Sequence, residues 1–280
     1  MRLTEESAII REVYPESYLD FAILVTDVGG VTFLMVLLSV LYWLTDRRQV
    51  ALVVSYVVAG FVFITAIKVV LGMPRPPAEV MVLGELDGDP YGFPSGHAFI
   101  SVVVYGGLLW AFDLVRKWWA LLGVALLVVA ISLSRVVVGV HYLGDVLVGA
   151  PLGLLFLFAV IRLVDGSPTR GFVLASALAI PGVIVADGVY ESVMGLGLAL
   201  GGLAVAGSIE NLPDLRSRLE GAVVTVVGLA VIVAGTLVES AVVGFEPAAA
   251  LVYAAIVASI VLLPGAVGRI EGGVLGPSAG

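Results

Sequence analysis

Cysteine is absent from the 280 residues, which excludes disulfides, thiolate nucleophiles and cysteine-held metals. Lysine is almost absent too: Lys68 and Lys117 are the only two, against 22 acidic residues and a formal net charge of −8. Such a chain offers no polybasic tract for nucleic acid or for anionic lipid surfaces, so nucleic acid is not an expected partner. Charge of either sign is scarce, at 13% of residues, while 60% are hydrophobic. A water-soluble domain carries about a quarter of its residues charged. Histidine occurs only twice, so the position of each is informative.

What the chain does have is apolar runs, many reaching the roughly 20 residues a helix needs to cross a bilayer core of about 30 Å. These runs are continuous, whereas the strands of a membrane barrel alternate polar and apolar residues. The expected fold is all-α, a polytopic membrane helical bundle of about nine transmembrane helices, near 21–44, 50–70, 98–114, 118–133, 146–163, 172–186, 192–207, 222–238 and 248–267. The glycine-rich run 192–207 reads as either re-entrant or tightly packed on a neighbour. Ahead of the first span, Ile9, Ile10, Val13, Tyr14 and Tyr18 recur at near-helical spacing among carboxylates, which predicts an interfacial segment over 1–20. That segment has no apolar stretch behind a basic start, so it does not read as a cleaved signal peptide.

Orientation follows from the excess of basic residues in cytoplasmic loops. With the amino end outside, Arg47, Arg48, Arg116, Lys117, Arg162, Arg170, Arg216, Arg218 and Arg269 all fall inside, leaving Arg2, Arg11, Lys68, Arg75 and Arg135 outside. The expected location is a cell membrane, crossed many times. The stretch 79–91, with Glu79, Glu85, Asp87 and Asp89, reads as a solvated outer loop, with a lid as the alternative.

Three polar islands interrupt the first five spans, and this topology puts all of them at outer helix ends. They are Lys68 with Arg75-Pro76, then Pro94-Ser95-Gly96-His97, then Ser134-Arg135 with His141 and Asp145. Burying Lys68, Arg75 and Arg135 uncompensated near a helix centre would cost about 2.5–3.5 kcal/mol each. An anion compensates them, and phosphate suits arginine forks and the compact lysine charge. Ser95-Gly96 stands just before an apolar run, so Ser95 reads as an N-cap whose helix start presents N–H groups to an anion, with Gly96 allowing close approach. If a helix begins by His141, Asp145 lies four residues on along one face. Its carboxylate would then accept from Nδ1–H and leave Nε2 bare as a nucleophile. His97, from another helix, could protonate the leaving oxygen.

Together the islands resemble the three-part signature of the type 2 phosphatidic acid phosphatase superfamily, with each fixed position present in order and at matching spacing from Lys68 to Asp145. The resemblance implies a membrane phosphatase core over 21–165 and metal-independent hydrolysis, without a cofactor, of a lipid phosphate or pyrophosphate drawn from the surrounding membrane lipids. Phosphatidate, phosphatidylglycerol phosphate and polyprenyl pyrophosphate are all compatible. It further implies a phosphohistidine at His141 oriented by Asp145, with His97 as general acid. Lys68, Arg75, Ser95, Gly96 and Arg135 would bind the phosphate, at an extracytoplasmic active site. A lipid phosphotransferase, a vanadate-dependent haloperoxidase and a non-enzymatic anion transporter are the competing readings. The chain departs from many membrane members in having a single clear span before the first motif, and in the additional C-terminal helices over 172–268, which read as a packing anchor.

Overall fold

A computed structural model describes residues 2–82, 90–185, 190–215, 217–242 and 244–274. Among these, the regular structure is helical apart from one isolated bridge between Pro74 and Tyr91. The α-helices in order are α1 (Thr4–Val13), α2 (Leu19–Val28), α3 (Val31–Leu44), α4 (Arg47–Leu71), α5 (Gly96–Ser101), α6 (Gly107–Ala111), α7 (Trp118–Val137), α8 (Leu143–Val164), α9 (Pro168–Val185), α10 (Tyr190–Ala206), α11 (Arg218–Ala241) and α12 (Glu246–Val274). A π-helical stretch, Val102–Gly106, joins α5 to α6, so that Gly96–Ala111 runs as one apolar rod.

Five helices are long and apolar enough to span a bilayer, and α2 with α3 adds a sixth as a bent pair. Three shorter apolar helices, Gly96–Ala111, Pro168–Ile184 and Tyr190–Ala206, complete the segments read from sequence. The protein is thus a polytopic helical bundle. The first span is not one rod: it bends by 52° between α2 and α3, at Gly29-Gly30. A Cβ on Gly29 would sit 2.6 Å from Ile131 and 3.1 Å from Ser101 Oγ. The glycine therefore lets the bend press against α7 and α5, which an alanine would prevent.

Local chemistry sets the ends. Asp46 caps α4 by accepting from Gln49 N–H at 3.0 Å. The same helix stops at Gly72, whose left-handed backbone (φ 59°) returns its N–H to the Lys68 carbonyl at 2.9 Å. Val50, Val53, Tyr56 and Ala59 of α4 are fully buried, because α4 is enclosed by α3, the α5–α6 rod, α9 and α10.

The helices after α8 wrap this core through close backbone approach. Gly171 of α9 sits on Ser55 of α4, while Gly197 and Gly201 of α10 face the carbonyls of Ala250 and Ala254 in α12. The glycine-rich α10 is thus tightly packed on a neighbour, α12. Tyr42 OH and Trp43 Nε1 of α3 donate to the Val261 and Ile260 carbonyls of α12, at 3.3 and 2.9 Å.

The two ends of the bundle differ in charge. At one, Arg47 donates to the Pro213 carbonyl at 2.5 Å, Arg48 lies 3.5 Å from Glu210, and Arg170 pairs with Asp165 at 3.1 Å. The other end carries the polar islands. There α1 is docked on the bundle: Ile10 packs on the Ala98, Val136 and Val146 cluster, and Ser7 is fully buried. Of the expected outer loop, Val82 N–H bonds the Val138 carbonyl at 3.0 Å; Glu85, Asp87 and Asp89 lie outside the described residues.

Candidate active site

The island side chains sit on helix termini or, for Arg75 and His141, in the connections just beyond them. Lys68 sits in the last turn of α4 and is buried. Beyond Gly72 the chain pairs with the 90–92 stretch through the Pro74–Tyr91 bridge and the Gly92 N–H to Met73 carbonyl bond of 2.8 Å. This pairing carries Arg75 toward the α7–α8 turn, where its Nη1 lies 3.4 Å from the Val140 carbonyl.

Ser95 is the N-cap of α5, accepting from Ala98 N–H at 3.4 Å, while its own N–H donates to the Asp145 carbonyl at 3.0 Å. That N–H is therefore committed to holding α5 against α8. Gly149 and Gly153 of α8 make this contact possible, since a Cβ on either would lie 2.6 Å from the carbonyl of Ser95 or of Phe99. The helix start at Gly96 is open: the nearest atom to a Cβ placed there is Lys68 Nζ, at 4.0 Å. Lysine and helix N-terminus thus flank a common space of the kind an anion occupies.

Arg135, at the end of α7, is 5% exposed. Its Nη1 donates to Thr26 Oγ1 at 3.2 Å, Ser134 Oγ lies 2.9 Å from the same hydroxyl, and its Nε has no hydrogen-bond partner among the described residues. A buried guanidinium with an unmet donor is costly in an unliganded protein and is compensated by an incoming oxyanion.

After α7 the chain turns through Gly139, at φ +79°, where a Cβ would collide with the Val80 carbonyl. This turn makes α8 begin at Leu143, so His141 stands before the helix and not in its first turn. The consequence is local. Nδ1 of His141 lies 2.7 Å from the Gly92 carbonyl and 3.4 Å from Asp145 Oδ2. A carbonyl can only accept, so Nδ1 carries the proton and Nε2 keeps its lone pair. Gly92, absent from the sequence reading, makes the shorter contact, and Asp145 stands behind it.

Asp145 is fully buried and heavily engaged. Its Oδ2 accepts the Tyr142 N–H at 2.9 Å, and both its oxygens take the guanidinium fork of Arg2, at 2.8 Å each. Arg2 also donates to the Pro74 carbonyl at 2.7 Å and covers the Tyr142 ring at 4.6 Å. Arg2 and Thr26 were not among the site residues expected from sequence. The one available signal for Arg2 was that the basic-residue balance left it outside with no chemical reason to be there; Thr26 gave none.

Electrostatically the islands form one site, because Lys68, Arg75 and Arg135 act on both imidazoles and His141 acts on His97. Burial, reinforced by the charges of Arg135, Arg75 and Lys68, pushes the His141 imidazole down to about 3 against the opposing pull of Asp145. It is therefore neutral near pH 7, the form a nucleophile requires. Among the described residues no three His, Asp or Glu side chains are placed to share a metal ion.

Residues 31–168 match the family model of the PAP2 superfamily, a segment that runs from the start of α3 to the start of α9 and includes every polar island. No curated protein and no solved structure gives a significant match. Phosphatase-type hydrolysis is the general activity of that superfamily, and through this segment the chain belongs to the PAP2 superfamily.

Proposed function

We propose that the protein hydrolyses a membrane lipid phosphate or pyrophosphate through a phosphohistidine on His141, at the extracytoplasmic face and without a metal. The observation that carries this reading is the His141 ring itself. It is 99% enclosed, being 1% exposed, with Nδ1 tied to a carbonyl and three cations around it. A neutral imidazole beside fixed positive charges is arranged to attack a dianion's phosphorus.

In the first step the Nε2 lone pair forms the N–P bond, the P–O bond to the lipid breaks, and His97 gives its proton to the departing oxygen. The dianion supplies the negative charge that lets His97 hold that proton among cations. In the second step water attacks phosphorus, His97 takes a proton from it, and the N–P bond returns its electrons to Nε2. Lys68, Arg75, Arg135 and the Gly96 end of α5 hold the oxygens whose charge changes in both steps. Asp145 stabilises the His141 ring while it carries phosphate.

The placement outside rests on the charge asymmetry of the two ends, since Arg47, Arg48, Arg170 and Arg218 cluster away from the site. A lipid substrate is supported by the site's position at helix ends of a bundle whose flanks are apolar and exposed, as at Leu154, Leu155 and Phe158. The test is phosphate release from phosphatidate, phosphatidylglycerol phosphate and polyprenyl pyrophosphate by purified protein in excess chelator. His141→Ala should abolish release and the acid-labile phosphoenzyme together. Wild-type-like turnover by that variant would overturn the assignment, and product alcohols appearing in place of inorganic phosphate would make the enzyme a phosphotransferase.

A further inference from the structure

The geometry points to Arg2 as a positioning residue of the reaction, which reaches His141 through the Asp145 carboxylate and ties the segment before α1 into the active site. Asp145 lies fully buried, and among the described residues the Arg2 guanidinium, at 19% side-chain exposure, is the one permanent cation bonded to it. The fork is bidentate, the geometry in which arginine fixes both the charge and the plane of a carboxylate. Oδ2 is the atom shared by Arg2, the Tyr142 N–H and, at 3.4 Å, His141 Nδ1. Turning the carboxylate would therefore move the imidazole.

The segment around Arg2 is built to be held there. The Gly144 N–H donates to the Arg2 carbonyl at 3.0 Å, and the Leu143 N–H donates to Ser7 Oγ at 2.8 Å. Two unsatisfied donors of the α8 N-terminus are thus met by this segment. Space is reserved as well: a Cβ on Gly144 would lie 2.8 Å from Arg2 Cα, and one on Gly92 would lie 2.7 Å from Arg2 Nη2. Gly92 supplies the carbonyl on His141 Nδ1, so Arg2 packs against both groups that hold the ring.

Removing the guanidinium leaves the Asp145 charge to the Tyr142 N–H and to His141. Among the described residues the other groups around the two imidazoles are Lys68 and Arg75 from the α4 end, His97 of α5 and Arg135 of α7, whereas Asp145 is held by Arg2, Tyr142 and His141. The imidazole should then protonate at higher pH, and its aim at phosphorus should loosen.

The kinetic half of this inference rests on the phosphohistidine reading; the spectroscopic half does not. Arg2→Ala and Arg2→Lys would be made in the full chain, with kcat and KM measured on short-chain phosphatidate. The ring nitrogens would be followed by NMR in histidine-labelled protein, where two histidines make assignment simple. Arg2→Ala is expected to lower kcat about tenfold to hundredfold with KM within about threefold. It should raise the His141 titration midpoint by a pH unit or more, on the order of the change expected when a close ion pair is redistributed, and recover part of its rate in ethylguanidinium. Arg2→Lys should fall between the two, and it serves as the test if the alanine variant does not fold. Unchanged kcat in a folded variant, or a lower kcat with an unmoved His141 titration and no rescue, would overturn the inference. A wild type that releases no phosphate from phosphatidate, phosphatidylglycerol phosphate or polyprenyl pyrophosphate would defeat the proposed function, while the titration still decides the role of Arg2.

Discussion

Replacing Gly149 by alanine should separate His97 from His141 by a distance that can be read from the packing. The added methyl would lie 2.6 Å from the Ser95 carbonyl and 3.3 Å from Ala98 Cβ. Ordinary contact begins near 3.4 Å, so the start of α5 must recede from α8 by about 0.8 Å. The carbonyl has no flexible side chain to absorb this shift, and Ser95 N–H is bonded to the Asp145 carbonyl at 3.0 Å. The displacement therefore passes to His97, two residues on, relative to His141. Misplacing reacting groups by this much costs about tenfold to hundredfold in rate, and overpacking of this kind costs about 1–3 kcal/mol in stability. Steady-state phosphate release in detergent micelles measures the first, and thermal inactivation the second. Gly123→Ala on α7 is the control, because a Cβ there meets nothing within 4 Å. Equal kcat for the two variants would refute the idea that the α5–α8 contact sets the catalytic separation.

Thr26→Val keeps the shape of the α2 contact but removes the acceptor of Arg135 Nη1. A hydrogen bond to a charged group contributes about 1.5–3 kcal/mol, so kcat/KM should fall roughly tenfold or more, and an unchanged value would show that Thr26 does not aim Arg135. The His141 ring should stay neutral, with its proton on Nδ1, through pH 5, since its folded value is about 3 against 6.5 unperturbed; NMR showing a midpoint near 6.5 would refute this. Between those values the unfolded chain holds the additional proton, so the His141 contribution to stability is complete above 6.5 and declines as pH falls toward 3.

The helices and the clustering of the islands were legible because a polar residue in an apolar run has few places to go. Lys68, Ser95, His97, Arg135 and His141 all sit at the ends of runs, and the structure brings those ends together. What could not be read were features set by backbone collisions between distant segments. The 52° bend at Gly29-Gly30 arises because Ile131 and Ser101 leave no room for a Cβ, and nothing near residue 29 announces either neighbour. Likewise the spacing of His141 and Asp145 suits one helix face, yet the Gly139 turn delays α8 to Leu143. The Gly92 carbonyl then takes the nearer position on Nδ1. Arg2 was invisible as a partner because 143 positions separate it from Asp145, and no local periodicity spans that interval.

This long separation also sets a schedule. A chain is threaded into the membrane from its amino end, so the segment holding Arg2 is delivered first and must wait while four further apolar stretches are inserted before its carboxylate emerges. A nascent fragment that stops short of α8 lacks both the Asp145 carboxylate and the Leu143 and Gly144 donors that hold the Arg2 segment. Leu143 and Gly144 close the ring of contacts with Ser7 and Arg2, and every residue in that ring is synthesised before the helices from α9 onward.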